Sequence, residues 1–383
     1  MRDPGRVPKN IVVLCDGTWN RADQRCPTNV EKLRVAAVDG PEQIVRYVPG
    51  VGTDPGVLDR FLGGAFGLGL SARVMEAYRF VVENYTDGDR IYLLGFSRGA
   101  YTARSTAGMI RNVGVLRPAF RDERTYRRAM AIYRDRRSAD LRPDGDTAVA
   151  FRAEHSVSPR IRFVGVWDTV GALGIPLGGL RLLNVVNRRA QFHDTQLSST
   201  IEAAFHALAI DERRRAFRPT LWQLSTTART GRASQQVEQV WFSGVHSNVG
   251  GGYPDTGLSD IALNWLAGRA AEHGLLFRTR PPGTGGPRER ALEKWIGSDP
   301  RLDAPLTDSR RGIFRLGRRY VRRLGEDGSS ATEAAFFTAQ RRWTDDAAYR
   351  GTAANLASYL DGGIGRILPT EDPDRAPAQP ART

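Results

Sequence analysis

Apolar residues in this chain follow two rhythms. Short continuous runs lie near Ile11, at Ile44 to Val48, Ile91 to Leu94, Ile161 to Trp167 and Gln239 to Val245. Runs of that length predict strands buried on both faces. Elsewhere apolar positions recur at helical spacing, notably over Leu70 to Tyr85, Arg98 to Asn112, Gln196 to Ile210 and Ile261 to Ala271, each predicting a helix with one face inward. Strands alternating with helices predict an α/β fold with a mostly parallel sheet covered on both faces. Two irregular stretches, about 113–160 and 172–235, predict helical cap insertions. A Pro/Gly-rich run from Pro281 to Pro287 predicts a boundary. The expected organisation is an α/β domain over 8–278, a helical extension over 279–368 packed on it, and a disordered tail over 369–383. No internal repeat is visible.

The ends of the predicted strands carry the chemistry. Ile91 to Leu94 runs into Gly95-Phe-Ser97-Arg98-Gly99, and a helical stretch follows at once. Strand, sharp turn and helix are how α/β-hydrolases present a serine nucleophile, so Ser97 is the candidate nucleophile. Gly95 and Gly99 leave room for backbone packing beside it. Arg98 opens the helix and places an N–H where an oxyanion would develop.

Of the five histidines, His155 and His193 lie in polar, loop-like sequence, His206 in a helical pattern and His273 at a helix end. His246 instead ends a strand-like run and opens the loop Ser247-Asn248-Val-Gly-Gly-Gly-Tyr253, which makes it the candidate base. The acid falls between nucleophile and base in this chain order. Asp168, ending Ile161 to Trp167, fits best. Asp255 and Asp260 are rivals, readable as a turn residue after Pro254 and as a first-turn helix carboxylate. The first strand stops at Asp16-Gly17-Thr18. Gly17 or Thr18 is the candidate second oxyanion donor, with Asp16 bonding backbone amides of its loop; an ordinary Asp-Gly turn reads equally well.

Together, Cys15-Asp16-Gly17-Thr18-Trp19-Asn20, Gly95-Phe-Ser97-Arg98-Gly99-Ala100, Phe163-Val-Gly-Val-Trp-Asp168-Thr169-Val170-Gly171 and Gly244-Val-His246-Ser-Asn248-Val-Gly-Gly-Gly-Tyr253 resemble the catalytic domain of type VI secretion phospholipase effectors, a large bacterial and fungal group. The resemblance covers roughly residues 8 to 270. It implies an α/β-hydrolase-like fold and serine-dependent cleavage of phospholipid acyl esters, with nucleophile, acid and base on Ser97, Asp168 and His246. One departure stands in the glycine-rich motif, where the family commonly has His-Ser-Asp and this chain has Asn248. Its amide keeps hydrogen bonding without the charge, so it carries no acid or metal role; Asn248, Tyr253, Asp16, Gly95 and Gly99 support the site loops. The stretches from Glu333 and from Tyr349 only loosely match the family's closing motif. No metal or other cofactor is implied.

Composition narrows the alternatives. At 383 residues with 40% hydrophobic side chains, one large core can be buried. No apolar run reaches a membrane span, and the first ten residues lack the apolar core of a secretory signal, so cytoplasmic synthesis is expected, with signal-less export open. Two cysteines, Cys15 and Cys26, are too few for a disulfide scaffold. The net charge is +14, yet only Lys9, Lys32 and Lys294 are lysines, leaving 53 arginines among the 56 basic residues. That skew fits coding bias as well as selection, and no nucleic-acid motif accompanies it.

Two basic segments stand out. Arg117 to Arg137 predicts a solvated cap helix with Tyr126, Met130 and Tyr133 on one face. Ser309 to Gly325 predicts a basic amphipathic helix, with Ile313, Leu316, Tyr320 and Leu324 opposite Arg311, Arg315, Arg318 and Arg322, of the kind that docks on anionic lipid. Leu173 to Leu180 fits an acyl-chain lid or buried loop packing. Three functions compete: a phospholipase, a soluble carboxylesterase or thioesterase, and a non-catalytic basic module for anionic lipid or nucleic acid. Oligomeric state is open.

Overall fold

The computed structural model describes residues 6–52, 66–135, 138–171, 197–224, 235–278, 298–315, 319–325, 330–361 and 365–369. The sheet begins with β1 (Asn10–Cys15), β2 (Gln43–Val48), β3 (Arg90–Phe96) and β6 (Ile161–Trp167). A small antiparallel pair, β4 (Val115–Leu116) and β5 (Ser156–Val157), stands apart from it. The sheet continues through β7 (Ala203–Ala209), β8 (Gln236–Phe242), β9 (Glu333–Phe336) and β10 (Ile367–Leu368). Strand order is β10-β9-β8-β7-β6-β3-β1-β2, and every pairing in it is parallel.

Period-two alternation assigns each strand residue to a face. Ile11 and Val13 of β1 join one core with Tyr78 and Val81 of α2 (Phe66–Asn84), Ala103 of α3 (Arg98–Val113), Ala129 of α4 (Glu123–Arg134) and Phe151 of α5 (Asp146–His155). Val12 and Leu14 join the opposite core with Leu33 of α1 (Asn29–Ala36) and Leu263 and Leu266 of α7 (Gly257–Glu272). Helices thus cover both faces of a parallel sheet: the α/β-hydrolase-like architecture. Such a sheet gathers its functional loops at the carboxyl ends of its strands.

Three sequence expectations are corrected. Gln196 to Ile210 is not a helix: Ala203–Ala209 is strand β7, buried along its whole length. Its alanines favour helix locally, but pairing with β6 and β8 on either side decides the outcome. Ser309 to Gly325 is not an amphipathic helix either. Its described part is a short 3₁₀ turn, Gly312–Arg315, and an extended piece that bridges Arg319 to Arg214. Gly312 at φ +57° and Gly325 at φ +76° hold left-handed conformations that interrupt a helix, and Arg322, placed on the solvated face by the helical wheel, is fully buried. Finally, the stretch from 279 is not purely helical. It adds β9 and β10 to the sheet, with α8 (Phe337–Asp345), α9 (Ala347–Thr352) and α10 (Ala354–Asp361) closing a third apolar cluster around Trp241, Leu208 and Tyr349.

In the first insertion, Asp122 caps α4 by accepting from Thr125 N–H, and Tyr126 is buried under the Arg79 guanidinium. Leu173 to Leu180, Pro281 to Pro287 and the tail from residue 370 lie outside the described residues. Cys15 and Cys26 are free thiols. No helix among the described residues is long and apolar enough to cross a membrane.

Candidate active site

Four strand ends converge. Ser97 leaves β3 at φ 58°, ψ −119° and caps α3, a left-handed backbone that costs a non-glycine residue about 1–3 kcal/mol. The turn is tight enough that a Cβ on Gly95 would strike the Gly99 carbonyl, and one on Gly99 would strike the Cys15 carbonyl. Ser97 N–H donates to Trp167 C=O at 3.0 Å, and Asp168 N–H to Ala207 C=O at 2.7 Å. The sheet ladder therefore sets the register of both residues. Asp168 also holds positive φ, 39°.

His246 opens the short helix α6 (His246–Gly250) after β8. Its Nε2 lies 2.8 Å from Ser97 Oγ and its Nδ1 2.6 Å from Asp168 Oδ2. With the carboxylate ionised, Nδ1–H donates to Asp168 and Nε2 accepts the serine hydroxyl. The imidazole packs between Phe96, with ring centroids 4.6 Å apart, and Phe217, at 4.9 Å. A Cβ on Gly250 would run into the Phe96 ring, so this glycine lets the loop close over the histidine.

Electrostatics favour the same protonation states. Burial alone would raise Asp168, but the Arg322 guanidinium and the His246 hydrogen bond hold it well below the usual carboxylate range. Burial lowers His246, opposed by its bond to Asp168. The site thus combines an ionised acid, a neutral base and a hydroxyl aimed at it.

The β1 loop lies against the serine. A Cβ on Gly17 would stand 3.2 Å from Ser97 Cβ. Asp16 is buried; its Oδ1 accepts from Gly17 N–H, and its Oδ2 accepts from Thr28 Oγ1 and Tyr47 Oη, each at 2.7 Å. Burial pushes Asp16 up to about 6 despite those donors. The Gly17 amide is therefore engaged within its own loop. Thr18 follows, with its hydroxyl buried and lacking a partner among the described residues. Arg98 is the first residue of α3, whose first-turn amides point out of the helix end.

Asn248 Oδ1 accepts from Val245 N–H at 3.2 Å and Thr307 N–H at 3.4 Å, so its amide ties the histidine loop down. Tyr253 is raised by burial, with Arg214 and Glu212 beside it. The rival acids are engaged elsewhere: Asp255 accepts from Gly257 N–H and Arg301, and fully buried Asp260 accepts from Lys32, Thr256 and Asp299 N–H.

Sequence reasoning passed over three contributors. Glu212 is fully buried and accepts from His246 N–H and Arg214; it sits just past the end of β7, where reading a helix hid a strand end. His206, inside β7, accepts Thr169 N–H through Nε2 and is lowered by burial to about 3. Arg322 donates to both oxygens of Asp168; the helical pattern around it points to a solvated face and so away from this role.

The family model described as "T6SS, Phospholipase effector Tle1-like, catalytic domain" matches residues 9–269. An uncharacterized protein of Saccharomyces cerevisiae, YEL023C, is 32% identical over 231 residues, covering 55% of this chain and 32% of that protein. A crystal structure of an uncharacterized Pseudomonas aeruginosa protein aligns at TM-score 0.42 and 19% identity, over 76% of this chain and 50% of the other. The Tle1 effector bound to the VgrG spike of the type 6 secretion system aligns at TM-score 0.38 and 20% identity, over 64% of this chain and 51% of the other. A butyrate-bound esterase of Thermogutta terrifontis, Est2, aligns at TM-score 0.39 and 14% identity, over 72% and 86%. The chain spans about a third of the yeast relative and about half of the first two structures.

Proposed function

The chain belongs to the Tle1-like phospholipase-effector catalytic-domain family, and from that membership and the Ser97–His246–Asp168 geometry we propose that it is a serine hydrolase of carboxylic esters, acting on phospholipid acyl chains. The observation that carries the proposal is the continuous hydrogen-bond path from Ser97 Oγ through His246 to Asp168. His246 Nε2 takes the Ser97 proton as Oγ attacks the ester carbonyl, and Asp168 stabilises the imidazolium that forms. The oxyanion is met by the amides of Arg98 and Thr18; Gly17, whose N–H is committed to Asp16, serves by letting the loop approach Ser97. His246 then protonates the leaving alcohol. Water, deprotonated by the same base, attacks the acyl-enzyme and frees the fatty acid.

The phospholipid assignment comes from the family description. A soluble carboxylesterase or thioesterase would use the same machinery with a different acyl pocket. Exposed arginines on the segment whose Phe217 packs on His246 and on the segment whose Phe314 packs on Phe217, among them Arg215, Arg218, Arg311 and Arg319, favour substrates presented on an anionic surface. The test compares wild type with Ser97→Ala on a short-chain nitrophenyl ester and on vesicles of mixed zwitterionic and anionic phospholipid. The proposal expects fatty-acid release from vesicles that vanishes in the variant. Hydrolysis of the small ester alone would replace phospholipid with a soluble ester as substrate, and activity surviving Ser97→Ala would overturn the mechanism.

A further inference from the structure

Asp168 accepts four hydrogen bonds, and one donor residue lies outside the family-matched region. His246 Nδ1 and Ala209 N–H take one oxygen each. Arg322, beyond residues 9–269 and fully buried, takes both. Its Nη1 donates to Oδ1 at 2.5 Å and to the Ala209 carbonyl at 2.8 Å. Its Nη2 donates to Oδ2 at 2.9 Å and to the Phe217 carbonyl at 2.7 Å. The planar fork is thus fixed by two backbone carbonyls that do not titrate, and it grips both carboxylate oxygens at once. A lysine ammonium lacks that two-pronged geometry.

We propose that Arg322 is a positioning residue for the Ser97–His246–Asp168 constellation: it locks the plane of the Asp168 carboxylate and supplies its counter-charge, and so sets both the aim and the basicity of His246. The inference rests on the catalytic reading of these three residues. It also makes the segment carrying Arg322, which lies outside the matched domain, part of the working site.

The fork has two separable effects. Geometrically, it stops the carboxylate from rotating away from His246 Nδ1. Electrostatically, its charge offsets that of Asp168, so an imidazolium at His246 is stabilised less than by a lone carboxylate. Other charged or titratable groups face this pair: Glu212 and Arg214 act on His246 with opposite signs, Glu212 also accepting from His246 N–H, and they are common to wild type and the Arg322 variants. Glu212 pairs with Arg214 at 2.8 Å, His206 accepts Thr169 N–H, and Arg104 donates to the Thr220 carbonyl. Among the described residues, Arg322 and His246 are the charged or titratable side chains bonded to Asp168. Removing the Arg322 charge therefore moves the acid limb of the kcat/KM profile to higher pH, while removing the fork lowers kcat.

The experiment uses full-length wild type, Arg322→Gln, Arg322→Lys, Asp168→Asn and the Asp168→Asn, Arg322→Gln double variant on a short-chain nitrophenyl ester, with circular dichroism as the folding control. Arg322→Gln is expected to lower kcat on the order of 10²-fold with little change in KM, and to raise the acid limb. Arg322→Lys, which keeps the charge, is expected to lose kcat while leaving the acid limb in place. In the Asp168→Asn background Arg322→Gln should cost nothing more, because the residue acts through the carboxylate. A folded Arg322→Gln with wild-type kcat and acid limb overturns the proposal, as do single losses that multiply in the double variant. Should Arg322→Gln fail to fold, Arg322→Lys decides: wild-type kcat overturns, lowered kcat with an unmoved acid limb supports. Ser97→Ala in the same assay separates the two claims. If it stays active the serine mechanism falls; if it is silent while Arg322→Gln is unaffected, only this inference falls.

Discussion

Among the described residues, the non-glycine positions with positive φ are Trp19, Ser97 and Asp168, and all three sit in strand-end motifs around the site. Backbone strain of this kind persists where the surroundings fix it. Here the sheet ladder fixes it, through the Ser97 and Asp168 amides. The candidate acid is held ionised at the cost of its burial, and the candidate base is held neutral by its own. Three measurements bear on these residues. Asp168→Asn should keep the fold but favour the wrong imidazole tautomer, lowering kcat by about 10⁴-fold; a loss below tenfold would contradict the assignment. Burial holds His246 below its ordinary value of 6.5, so the midpoint of the acid limb of kcat/KM should lie below pH 6.5; a midpoint above 6.5 would contradict it. The sign for stability is the same. His246 and Asp168 are both lowered in the folded state, so their stabilisation is full above their ordinary values of 6.5 and 3.8 and is lost as pH falls through the folded values. Asp16, raised to about 6, contributes with the opposite sign in acid, so the check on His246 compares urea midpoints of wild type and His246→Ala between pH 7 and 5: the wild-type midpoint should fall relative to the variant's toward acid, and a relative rise would contradict it.

Secondary-structure elements explain why so much of the site could be read from sequence. β1, β3 and β6 are apolar on both faces and stop at polar or glycine residues, so run length and ending were both visible. Ser97 and Asp168, at the endings of β3 and β6, stand within hydrogen-bonding distance of His246 after β8, and the loop after β1 packs against Ser97. β7 was hidden because Ala-Ala-Phe-His-Ala-Leu-Ala carries no pattern that separates a buried strand from a helix. β9 and β10 have four and two residues, too few for any periodicity. The elbow glycines give a prediction here. A Cβ at Gly99 would meet the backbone carbonyls of Cys15 and Asp16, and neither β1 nor α3 can give way without moving the nucleophile. Gly99→Ala should lower stability by about 1–3 kcal/mol and depress activity further than that loss explains. An unchanged denaturation midpoint would contradict the packing described.

At the scale of the whole molecule, the region matched by the family model packs against the stretch that follows it. Trp241 of β8 is fully buried and donates through Nε1 to Glu333 of β9 at 2.8 Å, so the stretch after residue 298 completes the sheet edge and brings Arg322 to Asp168. Shortening the chain to residues 1–278 should expose the apolar faces of β7 and β8 and leave a buried carboxylate without its counter-charge. Loss of soluble, cooperatively unfolding protein is expected, by expression and thermal melting. A shortened chain that melts like wild type would contradict the closure described. Arg322 could not be told from the other arginines that set the net charge at +14, because burial is a property of the fold and not of the local sequence. The proposed chemistry rests on Ser97 as the nucleophile of an ester hydrolase. Its most direct test is treatment of the native protein with a fluorophosphonate ester, followed by peptide mapping by mass spectrometry. One adduct per chain on Ser97, absent in His246→Ala and after acid denaturation, is the predicted result; no adduct, or one on another residue, would contradict it.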